Sequence, residues 1–499
     1  MDEAAQLRSA ATEHQAAGRF ETAYGLLRRR AMLVPKDPEA WADIARCLAA
    51  AGMLPDALKA WDAALAVAPG GSPLLLGKAE VLERLGRSGE ARGLVAAAPG
   101  SFDSMFRLAR LALEAGDWEE AARVLASLES QHGGRPEVAW LAIRVALGQG
   151  ELGWAERRAR QLATDSRLGA EQRADLLLLR AEALDRQGRP ADAFKAAAAG
   201  KALQRGLFAG HAEAREGAAA RLERLAALLA PASPADWAAK PIMPVAGEPS
   251  VHAFILGFPR SGTTLLEQAL AGHPDVVALE EPPTLAAPAA EFLRNSEGVE
   301  RLARLPEAQI RAWRARYFAE VRAMGADPAG KVLVDKAPAE TASLPLIARL
   351  FPEARVLFAV RDPRDVVLSC FVSSFQMNAL TYAFTDLLET AAAYAATMRM
   401  AEACRRVLPL SLMEVRHEAL VQDFQSGLAE VAAFLGIRMH PAMADIAATA
   451  RARSVRTPSA PQVRGGLTTT RLGRWRAYAD ALAPVQSTLE PWVGRFGYA

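Results

Sequence analysis

The sequence predicts a fold in two parts, an N-terminal α-helical solenoid followed by an α/β domain built on a parallel sheet. Three observations predict it. Glycines recur mostly about 34 residues apart through the first part of the chain. A short apolar run near residue 251 leads into a glycine-containing loop and then a helical pattern. Beyond it, apolar runs alternate with helical patterns, which is typical of a parallel sheet covered by helices.

The composition is that of a globular protein with ample material for a core. Of 499 residues, 51% are hydrophobic and 23% charged, and the net charge of +2 argues against a surface for nucleic acid or anionic membranes. No apolar run is long enough to span a membrane, and the charged N-terminus is unlike a signal peptide. The three cysteines form no C-x-x-C pair, so neither a disulfide framework nor a zinc site is expected. We therefore expect a cytoplasmic protein; its oligomeric state is not predicted.

The first 205 residues carry a repeat in register. Alanine follows each periodic glycine by five residues and precedes all but one by seven, where Arg144 stands instead. Small alanines let two helices touch, and glycine opens the turn between them. The glycines and the alanines that follow them are Gly18, Gly52, Gly86, Gly116, Gly150 and Gly188, and Ala23, Ala57, Ala91, Ala121, Ala155 and Ala193.

This register resembles the tetratricopeptide repeat family, with roughly six units over residues 5–205. Such units stack into a solenoid with a concave groove. The groove would capture a peptide or protein, with Lys36, Arg84 and Trp118 as candidate contacts. Alternatively the array only supports the rest of the chain or mediates self-association, and the sequence favours neither.

Residues 206–245 are predicted to connect the two parts. An amphipathic pattern over 206–229 predicts one helix that caps the solenoid. A proline-punctuated linker follows from Pro231 through Pro241 to Pro249. The α/β domain is therefore expected over residues 246–499.

The segment from Val251 to Leu270 reads as strand, loop and helix. Unpaired backbone N–H groups at a helix start favour a phosphate there, and Gly257 and Gly262 let the backbone approach it. Thr263 stands where nucleoside triphosphatases of the P-loop type have lysine. The loop is thus predicted to hold a nucleotide 5′-phosphate rather than hydrolyse ATP; a turn with no ligand is the alternative.

Charged residues follow the apolar runs that alternate with helices. Parallel sheets bind ligands at the carboxyl ends of their strands. Arg260, Glu281, Lys336 and Arg361 each end or closely follow a predicted strand. The strands are expected at 251–257, 276–279, 331–335, 355–360 and 410–415.

These residues together resemble the sulfotransferase family over about residues 250–480, most closely the tyrosylprotein sulfotransferases and the bacterial repeat-linked sulfotransferases. The family has a 5′-phosphosulfate loop like Pro259–Thr264, and a 3′-phosphate element of arginine and serine like Arg361 and Ser369. Other blocks agree in order: His273-Pro274-Asp275, Glu280-Glu281, Asp335-Lys336, Arg361-Asp362-Pro363-Arg364, Ser459 before Gln462-Val463, and Gly473-Arg474-Trp475.

The resemblance implies the donor 3′-phosphoadenosine 5′-phosphosulfate and no metal. Arginine suits a phosphate because its guanidinium grips two oxygens at once. The implied donor contacts are Pro259, Arg260, Ser261, Gly262, Thr263, Thr264, Arg361, Ser369, His417 and Arg474.

It also implies the catalytic roles. Glu281 would be the base for the acceptor hydroxyl, and Lys336, Arg260 and Ser459 would stabilise charge on the moving sulfuryl group. Glu280 is expected on the opposite face of its strand.

Two positions depart from the family pattern. His417-Glu418 replaces a Tyr-Glu step, so histidine would stand where tyrosine stacks on adenine, and Arg464-Gly465 replaces a Lys-Pro step near the acceptor. The implied activity is sulfuryl transfer to a hydroxyl, with a protein tyrosine as the candidate acceptor. A non-catalytic scaffold with a nucleotide-binding domain is the alternative, and Thr263 disfavours a P-loop kinase.

Overall fold

The computed structural model describes residues 3–98, 100–212, 216–238, 242–453 and 459–498. It divides into two compact units, one of residues 1–145 and one that begins at Ala146 and holds the sheet. The repeat period predicts that the array ends at residue 205, whereas the boundary between the two compact units lies earlier, between Val145 and Ala146. The limits at 205 and 245 stay predictions. None of the helices in the described ranges is both long and apolar enough to cross a membrane.

The first unit is built from antiparallel helix pairs. Asp37 caps one of these helices by accepting from the Glu39 backbone N–H, with Pro38 at the first helical position. The helices are α1 Glu3–Ala16, α2 Phe20–Leu33, α3 Pro38–Ala50, α4 Leu54–Val67, α5 Ser72–Arg84, α6 Ser88–Ala97, α7 Phe102–Ala115, α8 Trp118–His132 and, across the division, α9 Pro136–Gln149.

The predicted glycine and alanine register is confirmed through both units. All six periodic glycines have positive φ, between +72° at Gly18 and +83° at Gly150. A Cβ at five of them, Gly18, Gly52, Gly86, Gly150 and Gly188, would meet no atom within 4 Å, so backbone conformation rather than crowding requires glycine there. The six alanines that follow them are at most 2% exposed, which lets the paired helices touch.

Four more helices open the second unit: α10 Leu152–Ala163, α11 Ala170–Arg186, α12 Pro190–Ala212 and α13 Ala218–Leu229. The single helix expected over 206–229 is wrong. The last repeat helix, α12, runs on to Ala212, and α13 starts anew after Gly217, whose extended backbone forms the N-cap.

The expected proline linker is partly packed. Pro234–Trp237 form a 3-10 helix whose Trp237 is buried in the core. Pro241 lies outside the described residues.

The sheet has five parallel strands in the order β2-β3-β1-β4-β5. They are β1 Val251–Gly257, β2 Val276–Glu280, β3 Val332–Lys336, β4 Arg355–Val360 and β5 Ser411–Arg416, each within one residue of its predicted position. Ile255 of β1 and Glu280 of β2 both pair with Lys336 of β3. This register aligns the carboxyl ends of β1, β2 and β3 at one edge of the sheet.

Helices cover the sheet and complete the second unit. One hydrophobic core joins Phe254 and Phe358 of the sheet to Leu184 of α11 and Ala197 of α12. The helices are α14 Thr263–Ala271, α15 Ala286–Phe292, α16 Ser296–Ala303, α17 Glu307–Ala323, α18 Leu344–Leu350, α19 Pro363–Val372, α20 Ala379–Ala383, α21 Leu387–Val407, α22 His417–Gln422, α23 Phe424–Phe434, α24 Ile446–Ala452, α25 Ala460–Arg464, α26 Ala479–Leu482 and α27 Gln486–Arg495.

Candidate functional site

The candidate site lies at the carboxyl edge of the sheet, where all five strands end. Each strand delivers one predicted side chain there: Arg260 after β1, Glu281 after β2, Lys336 at the end of β3, Arg361 after β4 and His417 after β5. The edge is where parallel sheets bind ligands. Sequence positions far apart therefore converge on one region.

The loop between β1 and α14 has the close approaches that its glycines predict. A Cβ at Gly257 would lie 2.6 Å from the Ala359 carbonyl oxygen, and one at Gly262 would lie 2.4 Å from His417 Nδ1. Both glycines have positive φ, of +147° and +95°. No larger residue fits at either position without displacing its neighbours.

Two non-glycine residues in the described ranges have positive φ, and both are predicted catalytic residues. They are Arg260, with φ of 71°, and Glu281, with φ of 52°. Such backbone conformations cost free energy and cluster at functional sites. The strain therefore supports a functional role for these two positions independently of the sequence pattern.

Arg260 binds two serines that are distant in sequence. Its Nε donates to Ser369 Oγ at 2.9 Å, and its Nη1 donates to Ser459 Oγ. The structure thus brings together Arg260, Ser369 and Ser459. All three line one pocket, whose empty volume is about 740 Å³ with its open mouth included.

Arg361 lies in the same pocket and is held from two sides. Its Nη2 donates to Asp365 Oδ2 at 3.2 Å and to the Arg471 carbonyl at 2.8 Å. Asp365 is also bound by the backbone N–H groups of Gly473 and Trp475, at 2.8 and 2.7 Å. The buried Nε of Arg361 has no hydrogen-bond partner, so this donor is available to a ligand.

The remaining predicted donor contacts surround this pocket. Gly262, Thr264, His417 and Arg474 line it. Ser261 and Thr263 are buried in the loop, and the Ser261 hydroxyl has no hydrogen-bond partner. The Pro259 carbonyl accepts from Cys370 Sγ at 3.4 Å, which fixes the start of the loop against α19.

Four arginines make the pocket strongly positive: Arg260, Arg361, Arg471 and Arg474. Burial, together with repulsion by the other three arginines, lowers the pKa of Arg260 to about 9. Burial and the neighbouring Arg474 also lower the pKa of Arg471. Charges that repel one another in a buried site favour the binding of an anion, because the anion supplies the missing counter-charge.

His417 is exposed to the positive charge of the same arginines and is neutral. Burial, with repulsion by Arg361 and Arg260, lowers its pKa to about 3. Its Nδ1 is buried without a hydrogen-bond partner and lies against Gly262. The imidazole is therefore uncharged at neutral pH and adds a polar face to the pocket.

A second group of charges surrounds Lys336, which is fully buried. Its Nζ lies 2.8 Å from Glu281 Oε1, 3.6 Å from Glu280 Oε1 and 3.7 Å from Glu267 Oε2. Burial opposes the charge on Lys336, but attraction by Glu267, Glu281 and Glu280 outweighs it and raises the pKa. Lys336 is therefore a permanent cation at neutral pH.

The expected separation of Glu280 and Glu281 is not found. Both carboxylates lie within 4 Å of the Lys336 ammonium. Alternation holds only inside a strand. Glu281 lies beyond the end of β2 with positive φ, so its side chain turns back toward the lysine.

Two residues of the site escape prediction from the sequence. Arg471 lies in an irregular segment after no apolar run, and Glu267 lies inside the apolar pattern of α14. The only signal for Arg471 is its position three residues before Arg474. Neither follows a strand, which is the signal that identifies Arg260, Glu281, Lys336 and Arg361.

Comparison with known proteins shows what this part of the chain is similar to. Residues 253–441 match the model of the sulfotransferase family. An uncharacterized protein of Aquifex aeolicus is 28% identical over 254 residues, which cover 49% of this chain and 33% of that protein. Mouse protein-tyrosine sulfotransferase 1 is 35% identical over 135 residues, 25% of this chain and 36% of the enzyme.

The nodulation protein NoeE of Sinorhizobium fredii is 33% identical over 129 residues, 23% of this chain and 30% of that protein. The matched segments thus span about a third of the length of these relatives.

Solved structures are similar to each part. A tetratricopeptide repeat protein from Parabacteroides merdae aligns with 42% of this chain and 87% of its own, at 14% identity and a TM-score of 0.36. The sulfotransferase domain of the Synechococcus olefin synthase aligns with 48% of this chain and 91% of its own, at 24% identity and a TM-score of 0.33.

Proposed function

We propose, from the premise that the sheet-bearing part of this chain is a sulfotransferase-family domain, that the protein transfers a sulfuryl group from 3′-phosphoadenosine 5′-phosphosulfate to an acceptor hydroxyl. A tyrosine of a protein or peptide is the proposed acceptor, because mouse protein-tyrosine sulfotransferase 1 is among the relatives. The observation that carries the proposal is the pocket with four arginines beside the β1 loop.

The pocket suits a donor with several anionic groups. Buried polar atoms without a hydrogen-bond partner are rare in folded proteins and call for an explanation. Three of them lie in this region, namely Arg361 Nε, Ser261 Oγ and His417 Nδ1. In the proposal the loop and Arg260 hold the 5′ group, and Arg361 with Ser369 holds the 3′-phosphate.

When bound, the donor supplies the sulfuryl group together with a nucleotide bisphosphate as leaving group. Glu281 then accepts the proton of the acceptor hydroxyl as its oxygen bonds to sulfur. Lys336 holds Glu281 in place through the 2.8 Å contact and carries positive charge into the same region. Arg260 and Ser459 offset the negative charge that develops as the bond from sulfur to the leaving oxygen breaks.

The repeats are proposed to bring a peptide or protein acceptor to this site. A stack of helix pairs offers an extended surface. Support or self-association remains the alternative role, and the acceptor experiment described in the Discussion separates the two.

The proposal is tested first by donor binding. The parent chain should bind adenosine 3′,5′-bisphosphate without magnesium in isothermal titration, and ATP far more weakly. Arg361→Ala and Ser369→Ala should each weaken the bisphosphate about tenfold to a hundredfold, the cost of a lost hydrogen bond to a charged group. Arg316→Ala, which alters an exposed arginine on α17, is the matched control and should bind as the parent does.

Transfer itself is tested with labelled donor and a tyrosine-containing peptide. Label that moves to the peptide supports the enzyme. Bisphosphate binding without transfer to any hydroxyl acceptor would favour the non-catalytic scaffold. Tight magnesium-dependent ATP binding with turnover would contradict the proposal altogether.

A further inference from the structure

One pocket arginine is held by a residue of the repeat array. Asp185 lies at the end of α11, three residues before Gly188, which has a left-handed backbone conformation. Its Oδ1 accepts from Arg474, with Nη2 at 2.8 Å and Nε at 3.1 Å. The Tyr478 hydroxyl donates to the same oxygen at 2.6 Å.

These contacts fix the direction of the guanidinium. Two of its nitrogens are engaged by one carboxylate oxygen, and its carbon lies 5.3 Å from the centre of the Tyr478 ring. Arg474 and Asp185 side chains are only 18% and 19% exposed, so water screens the pair weakly. The rest of the guanidinium is left to face the pocket that Arg474 lines.

Asp185 is the carboxylate that pairs with Arg474 in a pocket rich in arginine. Arg471 lines the same pocket, and the two guanidinium groups repel each other. Burial disfavours the charge on Arg474, yet Asp185 and Tyr478 keep its pKa raised. A long side chain under such repulsion would turn toward solvent if nothing held it.

We propose that Asp185 is a positioning residue of the anion pocket, which aims Arg474 at the bound anion and so makes the last repeat a part of the donor site. The inference rests on the proposed function for the identity of that anion. It assigns the repeat array a role that acceptor capture does not require.

Asp185 could also weaken anion binding, and the experiment must distinguish that effect from positioning of Arg474. A carboxylate near the pocket repels the incoming anion. If repulsion outweighs positioning, loss of Asp185 tightens binding. If Asp185 only joins α11 to the segment beyond Arg471, its loss weakens binding whether or not Arg474 is present.

A double-mutant cycle on the full chain decides between these cases. Titration with adenosine 3′,5′-bisphosphate compares the parent, Asp185→Ala, Arg474→Ala and the double variant. We expect Asp185→Ala to weaken binding roughly tenfold in the parent, the scale of one charged hydrogen bond, and by less than twofold in the Arg474→Ala background. Asp192→Ala, which breaks an exposed pair with Arg189 in the same repeat, is the matched control and should leave affinity unchanged.

Equal or tighter binding by Asp185→Ala would overturn the proposal, and so would an equal loss in both backgrounds. If Asp185→Ala does not fold, Asp185→Asn replaces it in the cycle; it removes the carboxylate charge that holds Arg474, so we expect a smaller loss of affinity, again confined to the chain that retains Arg474. A parent chain that binds no bisphosphate would contradict the proposed function instead. In that case the cycle is repeated with inorganic sulfate, which the arginine pocket should bind on its own. Equal or tighter sulfate binding by Asp185→Ala, or an equal loss in both backgrounds, would then overturn the proposal for Asp185.

Discussion

The first four helix pairs and the helices α10 to α12 have the same turn glycines and buried alanines, but their polar side chains make different contacts. In the first unit, ion pairs join neighbouring repeats: Asp43 with Arg30, and Glu83 with Arg107. In the second unit, Lys201 of α12 donates to the Ser373 carbonyl at 2.7 Å, next to α19, which carries Ser369.

Further polar contacts attach the second unit's repeats to its sheet domain. Arg205 of α12 pairs with Glu389 of α21, and Asp185 with Arg474. The comparison shows that turn glycines and buried alanines set the repeat fold, while residues outside that register decide what each repeat contacts.

The apolar contacts differ in the same way. Leu178 and Leu184 of α11 belong to the core that also contains Trp237 and Phe254. Each buried leucine contributes about 1.5–3 kcal/mol. The last repeats are therefore part of the folded α/β unit rather than an attachment to it.

The largest expected effect is that of truncation, which tests whether the sheet domain needs the last repeats in order to fold. A fragment of residues 146–499 should fold cooperatively and bind the bisphosphate with parent affinity, because it keeps the whole second compact unit. A fragment of residues 206–499 should fail to fold, since it loses α11 and most of α12 from the shared core. Circular dichroism, thermal unfolding and titration of both fragments check this.

A 206–499 fragment that folds and binds would show that the last repeats are dispensable. The 146–499 fragment also tests acceptor capture. If the first four helix pairs recruit the acceptor, its KM should rise at least tenfold in this fragment while bisphosphate affinity stays unchanged. An unchanged KM would leave those repeats with a supporting or self-associating role.

The contact of Lys201 with the Ser373 carbonyl gives a smaller, pH-dependent test of how α12 packs on the sheet domain. Burial lowers its pKa from 10.5 to about 8. Between these values the unfolded chain holds more protons than the folded one, so this residue makes stability rise with pH. The free energy of unfolding of the parent, relative to Lys201→Met, should rise by about 1.4 kcal/mol per pH unit above pH 8.

Denaturant unfolding at two pH values checks the slope. Lys195→Met replaces an exposed lysine on the same helix and serves as the control. A slope that is the same for parent and Lys201→Met would mean that Lys201 is not buried as a cation in solution.

Local patterns allowed much of the fold and the site to be predicted. The five strands and the six turn glycines depend on short-range periodicity and on backbone conformation, which the sequence encodes directly. Arg260, Glu281, Lys336 and Arg361 were identifiable because a strand end positions whatever follows it.

Contacts that depend on tertiary packing could not be predicted. Asp185 meets Arg474 across 289 positions of sequence, and nothing in either local pattern relates the two. Glu280 and Glu281 both lie near Lys336 because Glu281 has a left-handed backbone conformation, and side chains alternate between faces only within a regular strand. The break between α12 and α13 was missed because the apolar periodicity continues on both sides of Gly217.

We propose that the strand-edge site transfers a sulfuryl group with Glu281 as its base. Glu281→Gln keeps the shape and a hydrogen-bonding oxygen for Lys336 but cannot accept the proton. A positioned base contributes about two to four orders of magnitude. Glu280→Gln is the matched control, since Glu280 lies farther from Lys336, at 3.6 Å against 2.8 Å.

The deciding measurement is kcat for sulfuryl transfer in both variants, with bisphosphate affinity measured in parallel. We expect Glu281→Gln to lower kcat at least a hundredfold with bisphosphate affinity near the parent value, and Glu280→Gln to lower kcat far less. Near-parent turnover by Glu281→Gln would contradict the role of Glu281 as the base.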